Sequence, residues 1–364
     1  MSMNNTVLGP MTTPNIYLGN LSENAGTTSG SSPRLGIAIL SVAFIIGFPG
    51  NAFIIWTVLT QIKKRTVTCL LILNLAMADI MVILTTPFFL HLLATGSWAF
   101  GNTICKMCYY TSGFSMYTSI YLITFMSIDR FLAVAIPFTS HKIRRKPIVR
   151  SIVVAIWVLG SLLSIPVLFY RSVEVNSKGQ DQCNNNKSQE RTGFQHIVFQ
   201  YMFETIMGFV IPFTVILSSY IYIGLRLRTA KFQTKHKTNR LVIMIIVIFA
   251  LFWAPYHLVN IIQVSGELYS SKVLREAALM ARPNTIAFAF LSSSANPILY
   301  VFAGGNFIRT AGVGFMAKLF EATGSEANSL RKVSQVFQQK SRNQSVEQGK
   351  LGEPIEDEQN HLTM

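Results

Sequence analysis

The chain has 364 residues, 50% of them hydrophobic and only 13% charged, with Lys+Arg 31 against Asp+Glu 16 and a formal net charge of +15. A soluble domain carries nearly twice that share of charge, so the composition excludes an ordinary soluble protein and points to a membrane. The basic excess raises nucleic acid as a partner, and the placement of the charges argues against it.

Residues 1–34 are polar and rich in Ser, Thr, Asn and Gly, without the short apolar core of a signal peptide. They read as an extracellular, glycosylated N-terminal tail with N-x-S/T sequons at Asn4 and Asn20. Within residues 35–303, seven apolar stretches reach the length of about 20 residues that a membrane helix needs: 35–60, 68–94, 104–134, 148–170, 195–225, 239–264 and 280–303. The connection after the first holds Lys63, Lys64 and Arg65. The one after the third holds Lys142, Arg144, Arg145, Lys146 and Arg150, and the one after the fifth runs from Arg226 to Arg240 with six cations. None of these stretches contains an acid, whereas the alternate connections mix both signs. The positive-inside rule places the N-terminus outside and the C-terminus in the cytosol. Much of the net charge is therefore a topology and membrane-surface feature, and no nucleic-acid partner is expected. A third sequon, Asn186, falls in the same outer compartment.

Cys69 lies at the cytosolic end of span 2, on the reducing side, and should be free. Cys105 opens span 3 on the outside and Cys183 lies in the second outer loop, which makes them the expected bridge. Cys108, one turn deeper than Cys105, is the competitor.

Polar groups inside a bilayer need a partner or a purpose. Asn51, Asp79, Ser119, Ser292, Ser293 and Asn296 all fall at middle or inner depth. Hydrogen bonding between helices, at about 0.6 kcal/mol each, accounts for the neutral ones. Asp79 is a lone carboxylate that must take up a proton or hold a cation, and a sodium ion shared with Ser119 and Asn296 is the sharper expectation. Asp129–Arg130, in "SIDRFLAVAIP", closes the third apolar run at its cytosolic mouth. Pro212, Pro255 and Pro297 interrupt spans 5, 6 and 7, each removing a helix hydrogen bond. The last two are flanked by Phe249, Trp253, Tyr256 and Tyr300, and a hinge beside a bulky ring has two packings to choose from.

In the outer half, Arg171, Lys272, Arg275 and Arg282 are candidates to fix a carboxylate, with snorkelling to headgroups as the alternative. Glu204 is an intramembrane acid able to accept hydrogen bonds from hydroxyl groups. Tyr109, Tyr117, His257 and Asn260 add polar points to an otherwise Phe- and Met-rich region. The matching ligand is amphipathic, with a carboxylate and hydroxyls on a hydrocarbon chain.

Asn51, "LNLAMAD", Cys105, Asp129–Arg130, Trp157, Pro212, Phe249–Trp253–Pro255 and the "NPILY" run ending at Tyr300 occur once each and in order. Together they resemble the rhodopsin-like G-protein-coupled receptors over roughly residues 35–320. The resemblance implies an all-α seven-transmembrane helix bundle, a Cys105–Cys183 bridge, and a sodium site at Asp79 with Ser119, Ser292, Ser293 and Asn296. It implies switch residues Phe249, Trp253, Pro255, Pro297, Tyr300 and Tyr220, and Arg130, held by Asp129, as the residue that meets the G protein. The family carries Tyr after this pair. Here Phe131 leaves an apolar contact or His141 to serve, and Thr238 and Arg240 opposite offer no acid, so Asp129 is the expected chief restraint on Arg130. Ser112 and Phe290 stand where amine receptors and opsins of the family carry their Asp and Lys, which disfavours both ligand classes.

More narrowly, "TTPFFLHLLATGSWAFG", "SMYTS", "PVLFYR", "FWAPYHLVN", "AFLSSSANP" and "AGVGFMAKLFEATGSEA" resemble the leukotriene B4 receptors. That similarity implies a lipid ligand contacted by Tyr117, Arg171, Glu204, Asn260 and Arg282, with Tyr109 standing where some members have His. It also implies an inhibitory-class G protein, arrestin and receptor kinases as partners, and a plasma-membrane location. A short chemoattractant peptide or another hydroxy fatty acid is the rival ligand. Residues 304–320 place Phe307, Ile308, Ala311, Phe315 and Leu319 near one stripe and read as an amphipathic helix on the membrane. Residues 321–364 read as a disordered cytosolic tail. The lack of an internal repeat speaks against a transporter, and neither H-E-x-x-H nor G-x-S-x-G occurs to suggest an enzyme. No cofactor other than the sodium ion is expected.

Overall fold

The computed structural model of the chain describes residues 33–62, 66–136, 140, 143, 145–176, 178–185, 190–229 and 237–303. The sequons at Asn4, Asn20 and Asn186, the 304–320 helix, the 321–364 tail, the 63–65 loop, His141 and the side chains of Tyr300, Thr238 and Arg240 lie outside the described residues.

Seven helical spans follow the seven apolar stretches. Span 1 is Pro33–Thr60, span 2 is Val67–Ile83 continued by Thr86–Thr95, and span 3 is Gly101–Ala135. Span 4 is Lys146–Tyr170, and span 5 joins Glu190–Thr205 to Ile211–Thr229. Span 6 is Lys237–Leu268 and span 7 is Lys272–Ala303. Six are long and apolar enough to cross a membrane. The seventh is 32 residues long, but its first turns hold Lys272, Arg275, Glu276 and Arg282. Apolar side chains such as Val154, Leu162 and Phe169 of span 4 lie exposed on the flank of the bundle, as expected where the surroundings are lipid rather than water.

Local chemistry sets the ends. Thr66 accepts from the Cys69 N–H at 3.2 Å and caps span 2. Pro87 stands in the first turn of the second piece of that span, and the Thr85 hydroxyl donates to the Val82 carbonyl at 2.7 Å, so the helix breaks at Leu84–Thr85. Gly96, with φ of 70°, stops it in the left-handed conformation that glycine takes without penalty.

Pro255 and Pro297 sit inside spans 6 and 7, which stay helical on both sides of them. In span 5 the irregularity precedes Pro212. Ile206–Val210 forms a single π-turn, whose Met207 carbonyl accepts from Tyr121 at 3.1 Å. A neighbouring phenol thus supplies a hydrogen bond that the widened turn does not.

Between spans 4 and 5 the chain forms a hairpin, β1 (Arg171–Val175) antiparallel to β2 (Asp181–Asn185), with Val173 opposite Cys183. Cys105 and Cys183 are bonded, with Cα atoms 5.7 Å apart, and Cys108 and Cys69 are buried thiols outside any disulfide. Trp98, 1% exposed, donates its indole N–H to the Gly101 carbonyl at 2.9 Å and its backbone N–H to Asp181 at 2.8 Å. With the Val173 N–H also donating to Asn102 at 3.1 Å, the hairpin is pinned to the top of span 3 three times, once covalently.

Two apolar clusters fill the bundle. One, at the hairpin end, packs Phe89, Trp98, Cys105, Cys183 and Phe290. The larger one holds Leu75, Ile120, Met126, Ile216, Ile246, Phe249 and Leu299 toward the opposite end. Small residues let helices touch. A Cβ on Gly50 would lie 2.6 Å from the Pro297 ring, and one on Gly160 would lie 2.5 Å from the Thr118 hydroxyl.

Candidate functional site

A cavity opens beneath the hairpin, lined by residues from spans 2 to 7, including Tyr109, Tyr117, Arg171, Glu204, Tyr256 and Arg282. Apolar side chains Met116, Val167, Ile286 and Phe290 make up much of the remaining wall.

Glu204, 8% exposed, is the hub of the polar side. One carboxylate oxygen accepts from Gln200 at 3.0 Å. The other accepts from the Tyr256 hydroxyl at 2.7 Å and from the Asn260 amide at 3.5 Å. Gln200 stands one turn before Glu204, the helical spacing that puts them side by side. Asn260 accepts in turn from Arg282 Nη1 at 2.8 Å, so Glu204 and Arg282 are linked through one amide.

The two cavity arginines lie against rings. The Arg171 guanidinium sits 3.8 Å from the centre of the Tyr109 ring and that of Arg282 sits 4.1 Å from the Tyr201 ring. Neither pairs with a carboxylate among the described residues, and Arg171 Nε, Arg282 Nε and Arg282 Nη2 are buried without a hydrogen-bond partner. The Tyr117 hydroxyl is also buried and unpartnered. Unmet buried donors of this kind are expensive in isolation, at about 1–3 kcal/mol each, and together they suit an anionic, hydroxylated guest.

Five of the seven expected contact residues, Tyr109, Tyr117, Arg171, Glu204 and Arg282, line the cavity directly. Asn260 stands behind them in the hydrogen-bond chain. His257 is set apart: 2% exposed, it faces the Thr205 hydroxyl at 3.4 Å and the Phe209 ring at 5.0 Å. Lys272 and Arg275 are committed to acids, Glu276 at 3.7 Å and Glu267 at 3.5 Å, so of the four outer cations only Arg171 and Arg282 address the cavity. Sequence reasoning missed Gln200 and Tyr201 and treated Tyr256 only as a hinge aromatic. The one available signal was their placement three or four residues before Glu204 and Asn260.

At the inner end of the cavity wall, Trp253 donates to Ser292 at 2.9 Å and stacks on Phe249 at 5.6 Å. Deeper still, Asn296 donates to Asp79 Oδ2 at 2.7 Å. The Ser119 hydroxyl is buried without a partner, and Ser292 and Ser293 are buried nearby on span 7. Asn51 bridges spans 1 and 7, donating to the Gly47 and Ser293 carbonyls at 3.0 Å each.

At the opposite end, Asp129 is 5% and Arg130 2% exposed. Arg130 Nη2 donates to the Thr68 hydroxyl at 2.8 Å. A restraint from span 2 therefore stands beside Asp129, the expected chief restraint. Tyr220 of span 5 lies within electrostatic reach of both. Phe131 packs edge-on to Tyr222 of span 5 at 5.0 Å, the apolar contact expected of a residue without a hydroxyl.

A family model described as "7 transmembrane receptor (rhodopsin family)" matches residues 50–300. Leukotriene B4 receptor 1 of Homo sapiens is 46% identical over 318 residues, covering 84% of this chain and 89% of that relative. Leukotriene B4 receptor 2 of Homo sapiens is 35% identical over 303 residues, covering 81% and 82%. Somatostatin receptor type 2 of Sus scrofa is 33% identical over 277 residues, covering 74% and 73%.

Proposed function

The chain belongs to the rhodopsin family of seven-transmembrane receptors, and on that premise we propose that it is a receptor for leukotriene B4. It is a receptor and not an enzyme. The observation that carries the ligand is the cavity itself, in which Arg171 and Arg282 lack a carboxylate partner among the described residues while a carboxylate-centred network offers acceptors beside them. A fatty acid bearing hydroxyls meets both needs. Its carboxylate takes paired hydrogen bonds from a guanidinium, its hydroxyls meet Glu204 and Tyr117, and its chain lies on Met116, Ile286 and Phe290. The names of two of the relatives support this choice over a peptide.

The ligand biases the packing of Trp253 on Phe249, both of which line the cavity. Span 6 swings about Pro255, Tyr220 and Tyr300 rearrange, and Arg130 leaves Thr68 and Asp129 to meet a G protein of the inhibitory class and promote GDP release. Only a ligand that binds the open packing better than the closed one produces this shift.

A sodium ion belongs to the same reading. Asp79, Ser119, Ser292, Ser293 and Asn296 supply hard oxygen donors around a single carboxylate, and the unpartnered Ser119 hydroxyl supports the fit. By the same reading the receptor sits in the plasma membrane with its N-terminus outside and glycans at Asn4, Asn20 and Asn186. Its C-terminal serines are then substrates of receptor kinases and a docking point for arrestin.

The test is a binding and cAMP assay on membranes holding the intact receptor, with leukotriene B4, other hydroxylated fatty acids and chemoattractant peptides. Arg171→Gln should weaken leukotriene B4 at least tenfold, since a hydrogen bond to a charged group contributes about 1.5–3 kcal/mol. Silence toward leukotriene B4 with a response to a peptide overturns the ligand. A response insensitive to pertussis toxin overturns the G-protein class alone. Loss of sodium-dependent agonist affinity in Asp79→Asn supports the ion, and unchanged sodium dependence removes it.

A further inference from the structure

The two cavity arginines raise a problem of placement. A buried guanidinium must be held by something, and the usual holder is an acid. An acid here would neutralise the cation and compete with the anionic guest for the same donors. The chain uses rings instead, with the neutral Asn260 amide taking one Arg282 N–H at 2.8 Å. Tyr109 of span 3 lies 3.8 Å under Arg171 and Tyr201 of span 5 lies 4.1 Å from Arg282, so the device occurs twice on different helices. A ring face attracts a cation through its quadrupole while occupying none of the N–H groups, which lie in the guanidinium plane. Tyr201 is itself 6% exposed and does not line the cavity, so its service to a guest passes through Arg282.

We propose that Tyr109 and Tyr201 are positioning residues that turn Arg171 and Arg282 into carboxylate receivers, each ring fixing a guanidinium without neutralising it. The inference rests on the reading of the ligand as a hydroxylated fatty acid, and it assigns the acid-over-neutral selectivity of the site to the two rings rather than to their hydroxyls. Tyr201 acts through Arg282, which it touches at 4.1 Å. Tyr109 acts through Arg171 while also forming part of the cavity wall.

The experiment compares leukotriene B4 with its methyl ester on the full-length receptor in membranes, for wild type and for Phe and Leu at positions 109 and 201. Phe keeps the ring and Leu removes it. Tyr201→Leu should weaken the free acid by about 3- to 10-fold, the range of a partly desolvated cation–π contact, and leave the ester nearly unchanged. Tyr201→Phe should retain wild-type preference. Unchanged ester binding in the Leu variant also shows that the variant folds. The double Leu variant should all but erase the preference for the acid. Equal losses for acid and ester, or a loss in Tyr201→Phe equal to that in Tyr201→Leu, overturn the inference while leaving the ligand assignment standing. If wild type binds neither compound, the ligand assignment falls, and this inference falls with it.

Discussion

The two ends of the bundle treat polar groups in opposite ways. Under the hairpin, Arg171, Arg282 and Tyr117 hold donors with no partner among the described residues, around a Glu204 that is already well supplied. At the far end, Arg130 is packed beside Asp129, with its Nη2 on Thr68, next to the larger apolar cluster. One end presents donors that a guest can meet, and the other holds its cation in bonds already made. Binding energy is thus gained where structure is fixed by a disulfide and a hairpin, and used where a few directional contacts hold a movable helix end.

The sharpest way to break this comparison is to unpin the hairpin. Cys183→Ser opens a bridge between residues 78 apart and should cost about 2–5 kcal/mol of stability. The receptor should lose leukotriene B4 binding and melt earlier in detergent, and intact binding would show that the cavity does not depend on its lid.

Next in size is Glu204→Leu, which strips an acceptor from Gln200, Tyr256 and Asn260. With about 1–3 kcal/mol lost for each unsatisfied donor, agonist affinity should fall by 10-fold or more while ligand-free signalling stays level. A rise in ligand-free signalling would mean that the network also restrains the switch.

Thr68→Val tests the other end. It removes the oxygen that accepts from Arg130 and keeps the volume, so basal GDP release should rise roughly tenfold for about 1.4 kcal/mol of lost restraint, with ligand affinity in the absence of G protein unchanged. Flat basal activity would leave Asp129 as the only latch.

The smallest effect is expected from Phe131→Ala. The ring contact with Tyr222 contributes about 0.5–1.5 kcal/mol, which should appear as a few-fold change in coupling potency. An effect as large as that of Thr68→Val would show that apolar packing, rather than hydrogen bonding, dominates this end.

Much of the architecture could be read from the sequence because length and apolarity are local properties. Seven stretches of about the right length became seven helical spans, and the positions of Cys105 and Cys183 anticipated their bond. What stayed hidden depends on what lies across the bundle. Lys272 and Arg275 looked as available as Arg171 until Glu276 and Glu267 were placed beside them. Thr68 gave no sign of facing Arg130, since the two are 62 residues apart. The π-turn at Ile206–Val210 was masked by Pro212, the more conspicuous irregularity, and it is defined by a Tyr121 hydroxyl from another span. Tyr201 resembled any aromatic in an apolar run, and only the guanidinium beside it gives it a role.

Span 1 contributes nothing to the cavity wall, yet Gly50 brings its backbone directly against the Pro297 ring. That contact makes the first helix an abutment for the last one. A methyl group there would act as a shim driven between a fixed pillar and a working joint, changing the rest angle of span 7 without touching ligand or G protein. The helix with the least chemistry thus bears on where the last helix rests.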